Sequence, residues 1–183
     1  MIKMRILKDD TAAIIIDIQE RLFPVISEGR RFLQNSLKLI DGLQVLSVPI
    51  VVTQQYTKGL GPTIPSVVEK FSEFSYIEKI SFSCFDEPSV RENLLSLKKH
   101  NIILCGIESH VCVLQTCLDL LENGLMPVVI EDCVSSRNLN DKKIAIKRMR
   151  QEGACITTFE SLLFELTRKA GDDEFKRISG IVK

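Results

Sequence analysis

The chain has 183 residues, of which 45% are apolar and 26% charged, the composition of a globular protein long enough to bury a core. Its 24 basic residues balance its 24 acidic ones, so net charge gives no reason to expect nucleic acid or an anionic membrane as partner. No apolar run approaches 18 residues, and the first run ends in Asp17 rather than at a cleavage site. We therefore expect one cytoplasmic domain over 1–183, with no membrane span and no signal peptide.

Short β-branched runs alternate with longer amphipathic stretches along the chain. The predicted strands are 12–17, 48–54, 75–81, 101–106, 126–132 and 154–159. The predicted helices are 30–46, 89–100, 109–123, 140–152 and 160–170, with another short helix after 172. Gly124 and Gly153 follow two of these helices, where a left-handed residue is favoured. The alternation predicts an α/β protein of three α/β/α layers around a doubly wound, mainly parallel six-stranded sheet.

The carboxyl ends of the strands are where an open α/β sheet binds its ligands, at the point where the strand order reverses. Four places in the chain meet that condition. They are Asp17 after the first strand, 54–61 after the second, 79–85 after the third and 108–112 after the fourth. Functional side chains are therefore expected among these residues.

The six cysteines are scattered through apolar segments without a CxxC pair, which favours reduced thiols over a disulfide framework or a zinc site. Cys105 lies inside a predicted strand, and Cys117 lies in the middle of the apolar face of the 109–123 helix. We expect both to be core residues. Cys112 lies off that apolar face in the first helical turn, where a helix N-terminus lowers a thiol pKa. Ser109 is the expected N-cap of this helix.

Cys112 would need partners to act as a nucleophile, and two charged residues occupy suitable strand ends. Asp17 could accept the thiol proton, and Lys79 could keep the carboxylate ionised. Each residue also has an ordinary interpretation. Asp17 could be a turn residue, Lys79 a solvated surface lysine and Cys112 a half-exposed residue without a role. The convergence of all three on one edge of one sheet favours the catalytic interpretation.

Four ordered blocks of the chain resemble the isochorismatase-like cysteine hydrolases, and in particular the isochorismatase domain-containing group. The blocks are "AAIIIDIQERLFPVI", "VVTQQYTKGLGPT", "KISFSCF" and "LCGIESHVCVLQTCLDLLENGLMPVVIEDCVSSR". The resemblance implies a catalytic triad of Asp17, Lys79 and Cys112. It also implies a cis peptide at Ile107–Glu108 that directs the backbone N–H of Glu108, beside that of Cys112, into an oxyanion hole.

The implied activity is hydrolysis of a small amide, or of a related acyl or carbamoyl compound, through a Cys thioester. The implied assembly is a homo-oligomer. Candidates for lining the substrate pocket, each of which could equally be ordinary packing, are Gln19, Phe23, Tyr56, Phe82 and His110. The alternative is a catalytically silent protein that binds a small molecule or regulates a partner on the same fold. A nucleotide-binding domain is disfavoured, because Gly59–Gly61 lies in a loop and no phosphate-binding glycine motif follows a strand.

The chain also departs from its relatives in that family. Nicotinamidases carry an Asp-x-His metal motif that is missing here, so we expect no metal, no cofactor and no nicotinamidase activity. Isochorismatase itself lacks the nucleophilic cysteine, so the presence of Cys112 argues against that substrate. Gln54 and Thr57 replace residues that are often Glu and Pro in the group, which indicates a different pocket rim.

Overall fold

A six-stranded sheet forms the centre of the protein in the computed structural model, which describes residues 5–183. The strands are β1 (Thr11–Ile16), β2 (Ile50–Gln55), β3 (Ile77–Lys79), β4 (Asn101–Ile107), β5 (Met126–Ser135) and β6 (Cys155–Thr157). Their order is β3-β2-β1-β4-β5-β6, and every neighbouring pair is parallel. The predicted α/β class, six strands and doubly wound topology are confirmed.

Helices cover both faces of the sheet. They are α1 (Gly29–Val45), α2 (Thr57–Leu60), α3 (Pro65–Val68), α4 (Pro88–Ser96), α5 (Leu114–Glu122), α6 (Leu139–Gln151), α7 (Phe159–Thr167) and α8 (Asp173–Val182). Alternate residues of β1 point to opposite sides: Ile15 joins the core beneath α1, α7 and α8, whereas Ile14 and Ile16 join the core beneath α4, α5 and α6. None of the helices within 5–183 is long and apolar enough to cross a membrane.

The strand order reverses between β1 and β4, which are fully buried neighbours at the centre of the sheet. Gly106 makes their close approach possible. It has φ +135°, and a Cβ atom there would lie 2.1 Å from the carbonyl oxygen of Ile16. Side chains that follow β1 and β4 therefore meet at the reversal point, where ligands bind in sheets of this type.

Several local expectations need correction. The helix predicted at 109–123 begins with a π-helical turn, Ser109–Val113, before α5. The predicted N-cap, Ser109, is instead the first residue of the π turn, and Glu108 occupies the N-cap position. The buried Ser109 hydroxyl makes no hydrogen bond to the described residues. β3 is shorter than predicted, and α4 ends four residues early because Lys98 has a positive φ of 53°. Gly124 and Gly153 do adopt positive φ, at 73° and 109°.

Candidate active site

A buried ion pair lies at the carboxyl ends of β1 and β3. Asp17 follows β1, and its Oδ2 lies 2.7 Å from Nζ of Lys79, the last residue of β3; both side chains are 0% exposed. The hydroxyl of Thr53 donates to Asp17 Oδ1 at 2.8 Å. Burial raises the pKa of Asp17, and this outweighs the opposing effects of Lys79 and Thr53. Asp17 is thus a buried carboxyl whose affinity for a proton is raised, as a general base requires.

Lys79 is surrounded by acceptors. Its ammonium donates to Gln55 Oε1 at 3.2 Å and to the backbone carbonyls of Ser81 at 3.0 Å and Phe82 at 3.1 Å. Burial lowers the pKa of Lys79, but its interactions with Cys84, Asp17 and Cys112 outweigh that effect, so the pKa is raised. The ammonium is therefore charged at neutral pH, and the chain 80–82 folds around it.

Cys112 lies in the π turn that follows β4 and is 5% exposed within the core beneath α4, α5 and α6, so the prediction that it lies off the apolar face was wrong. The alternative of a half-exposed residue does not hold either. A π turn advances through a smaller angle per residue than an α-helix does, so an α-helical wheel misplaces the residues within it. The thiol donates to Gln55 Oε1 at 3.2 Å. It thus shares an acceptor with Lys79, and the three predicted catalytic residues lie together.

The pKa of the Cys112 thiol is raised, which corrects the expectation that a helix N-terminus lowers it. Burial is the larger cause, and the Asp17 carboxylate adds to it, whereas Lys79 acts in the opposite direction. The group is therefore a neutral thiol at rest, and its proton must be removed by a base during any attack.

The peptide bond between Ile107 and Glu108 is cis. The Glu108 carboxylate accepts from Arg137 at both the backbone N–H, at 3.0 Å, and Nε, at 2.9 Å. Two residues later, His110 Nδ1 lies 2.9 Å from the hydroxyl of Ser136. These contacts join the start of the π turn to the residues that follow β5, so the segment that precedes Cys112 is anchored there.

The predicted pocket residues fall into two groups. Gln19 is buried, and its amide is fully used by the backbone: it donates to the carbonyls of Gln55 at 3.0 Å and Gly61 at 2.7 Å, and accepts from Gln55 N–H at 2.8 Å. Phe23 stacks near Phe32, with ring centroids 6.5 Å apart. Gln19 therefore holds both ends of the 55–61 segment beside Lys79, whereas Phe23 is a packing residue at the edge of the core beneath α1.

The other predicted pocket residues are more open to solvent. Tyr56 is 51% and Phe82 is 53% exposed. Both lie beside Lys79, since Tyr56 N–H donates to the Lys79 carbonyl and the Lys79 ammonium donates to the Phe82 carbonyl. His110 is half-buried. Gln54, which was expected to alter the pocket rim, is buried and accepts from both the N–H and the hydroxyl of Thr63.

Gln55 was missed by the sequence analysis although it contacts both Cys112 and Lys79. It ends β2, so it lies at the same sheet edge as the other site residues and within the 54–61 segment to which strand-end reasoning pointed. The signal that could have identified it was its position at the end of β2, where its register partner is Lys79.

No group of three or more His, Cys, Asp or Glu side chains within 5–183 is arranged to hold a metal ion. The side chains gathered around Cys112 are a carboxyl, an ammonium, an amide and thiols, a set suited to proton transfer and nucleophilic attack. The absence of a metal or cofactor in the working protein remains a prediction.

Comparison with known proteins identifies the family. The model of the Isochorismatase domain matches residues 11–161, and the chain belongs to this family. A similar curated relative is the isochorismatase family protein 1B of Dictyostelium discoideum, 40% identical over 98% of this chain and 89% of the relative. The predicted family resemblance is thereby confirmed.

Solved structures show the same fold. A structure named as the MAR1 ribonuclease of Caenorhabditis elegans superposes with a TM-score of 0.90 at 40% identity, covering 97% of this chain and 92% of that one. The YcaC gene product of Escherichia coli, described as an octameric hydrolase of unknown specificity, superposes with a TM-score of 0.92 at 25% identity, covering 99% and 90%.

Proposed function

We propose that this protein is a cysteine hydrolase of a small amide, or of a related acyl or carbamoyl compound, with Cys112 as nucleophile and Asp17 as general base. The observation that carries the proposal is the buried Asp17–Lys79 ion pair of 2.7 Å beside a thiol that shares the Gln55 acceptor with Lys79. A buried charge pair is costly to form, so its position beside a nucleophile supports a role in chemistry.

The first half of the reaction forms the thioester. Asp17 takes the proton of the Cys112 thiol as Sγ bonds to the substrate carbonyl carbon, and the carbonyl π electrons move to oxygen. The backbone N–H groups of Glu108 and Cys112 stabilise that oxyanion, since N–H groups in the first turn of a helical segment lack intrahelical partners. When the oxyanion collapses, the C–N bond breaks and Asp17 returns its proton to the leaving amine.

The second half releases the acid. Asp17 takes a proton from water as the water oxygen attacks the thioester carbonyl, and the C–S bond breaks with Sγ regaining a proton from Asp17. Lys79 keeps its charge throughout and stabilises the negative charge that passes between Sγ and Asp17. The raised pKa values of Cys112 and Asp17 favour a neutral resting thiol and a carboxylate basic enough to remove its proton.

Two other functions compete with this one. A catalytically silent binding protein would need no activated Cys112. A ribonuclease is suggested by the names of similar solved structures, including the C. elegans one, whereas the 24 basic and 24 acidic residues of this chain do not favour a polyanion. Both alternatives can be separated from the amidase by one set of assays.

The test compares Cys112→Ala with Cys155→Ala, a cysteine of intermediate exposure on β6 outside the site. Both variants and the wild type are assayed against a panel of small amides and carbamoyl compounds and against RNA, with mass spectrometry to trap an acyl group on Cys112. We expect Cys112→Ala alone to lose turnover. Turnover retained by Cys112→Ala would refute the nucleophile, and wild-type activity on RNA alone would favour the ribonuclease.

We infer a homo-oligomer, which is supported by the octameric E. coli structure. Static light scattering would determine its order. A single domain over 1–183 and a cytoplasmic site of action also remain proposals.

A further inference from the structure

One amide oxygen links the nucleophile to the lysine. Gln55 Oε1 lies 3.2 Å from Cys112 Sγ and 3.2 Å from Lys79 Nζ. An ammonium can only donate hydrogen bonds, so the amide atom facing Lys79 must be the oxygen rather than the nitrogen. The same oxygen faces Cys112, and the hydrogen bond there requires that the sulfur carry its proton.

We propose that Gln55 is a positioning residue that holds Cys112 in the thiol form and fixes the Lys79 ammonium beside Asp17. This inference rests on the proposed nucleophilic role of Cys112 but concerns a residue outside the triad. A hydrogen bond accepted from the neutral thiol is lost when the thiolate forms, so Gln55 disfavours ionisation before substrate arrives. Transfer of the thiol proton to Asp17 is therefore disfavoured until substrate is bound.

The backbone of Gln55 is held firmly enough for this role. The buried Gln19 amide donates to the Gln55 carbonyl at 3.0 Å and accepts from its N–H at 2.8 Å. The next residue, Tyr56, donates its N–H to the Lys79 carbonyl at 2.9 Å. The Gln55 backbone is thus anchored on both sides, and its side-chain oxygen lies within hydrogen-bonding distance of both donors.

The charged and titratable groups facing Cys112 come from three elements. Asp17 follows β1, Lys79 ends β3, and Cys84 lies in the segment before α4. The thiol donates its hydrogen bond to the neutral amide of Gln55, while the Asp17 carboxylate is near enough to raise the pKa of the thiol. Gln55 competes with the base for that proton at rest.

Two substitutions of Gln55 by residues of similar size should shift the ionisation of Cys112 in opposite directions. Gln55→Met removes the acceptor for the thiol proton and leaves Lys79 free to stabilise the thiolate, so Cys112 should ionise more readily. Gln55→Glu keeps an acceptor but adds negative charge beside the sulfur, so ionisation should be harder. A hydrogen bond of ordinary strength corresponds to a shift of about 0.7 pH unit, which is about a fivefold change in thiolate fraction at fixed pH.

The experiment measures the rate of iodoacetamide labelling at Cys112 by peptide mass spectrometry from pH 7 to 10. We expect about fivefold faster labelling in Gln55→Met and about fivefold slower labelling in Gln55→Glu. Gln44→Met, which alters a solvent-exposed glutamine of α1, should match the wild type. Circular dichroism melts establish that each variant is folded.

Changes in the same direction for both Gln55 variants, or rates within twofold of the wild type, would overturn the inference. A merely structural role would loosen the site in both variants and could not produce opposite signs. Labelling needs no turnover, so the result is independent of the Cys112→Ala assay. If that variant retained turnover, the proposed hydrolase would fail while the opposed labelling rates would still establish the coupling of Gln55 to Cys112.

Discussion

Replacing Lys79 by Met removes the positive charge from the buried pair while leaving the carboxyl of Asp17 in place. Both side chains are 0% exposed and their charged atoms are 2.7 Å apart, so the Asp17 carboxylate would lose its counter-ion without gaining water. Breaking a buried pair from one side costs about 3–5 kcal/mol of unfolding free energy. The chain also offers a matched control. Lys70 and Asp41 are 2.6 Å apart but 29% and 35% exposed, so Lys70→Met should cost about 1 kcal/mol or less.

Urea unfolding of the wild type, Lys79→Met, Asp17→Asn and the double variant gives a complete thermodynamic cycle. Because the double variant leaves neither charge unpaired, it should be more stable than the sum of the two single losses predicts, by about 1–3 kcal/mol. If Lys79→Met cost no more than Lys70→Met, or if the two site substitutions were additive within about 0.5 kcal/mol, the reasoning from burial would be refuted.

Two further predictions concern Asp17 and the sheet beneath it. Asp17→Asn removes a negative charge that raises the pKa of Cys112, so at pH 8 the thiol should label faster with iodoacetamide while turnover falls; slower labelling would contradict the assigned direction. Gly106→Ala places a Cβ 2.1 Å from the Ile16 carbonyl and should lower the unfolding free energy by about 2–4 kcal/mol. Gly124→Ala, at positive φ but with nothing within 4 Å, should cost about 1 kcal/mol, and equal losses in urea would exclude the close contact as the cause.

The central strands could be predicted because a strand that is buried on both faces has a continuous apolar sequence. The runs at β1 and β4 are continuous and apolar, and both strands are fully buried. Cys105 was assigned to the core for the same reason and Cys117 because it lies on the apolar face of a helix, and both are 0% exposed. Strand ends then located Asp17 and Lys79, since parallel strands bring their carboxyl ends to one edge.

What could not be predicted depends on geometry that periodicity does not encode. The π turn changes the rotation per residue just where Cys112 lies, so helical phase misjudged its burial and, through burial, its pKa. Neighbouring glutamines in β2 differ only in which way they point. Gln54 is directed to Thr63 and Gln55 to the thiol and Lys79, a distinction set by strand register rather than by residue type.

The carbonyls of Ser81 and Phe82 hold the Lys79 ammonium through main-chain atoms, which every residue type supplies. The exposed side chains of Ile80 and Phe82 take no part in that hold. Substitution at 80 or 82 therefore leaves the main-chain acceptors of the buried ammonium in place. If Phe82 lines the substrate pocket as proposed, a change of its side chain alters which molecule fits while Lys79 keeps its position beside Asp17.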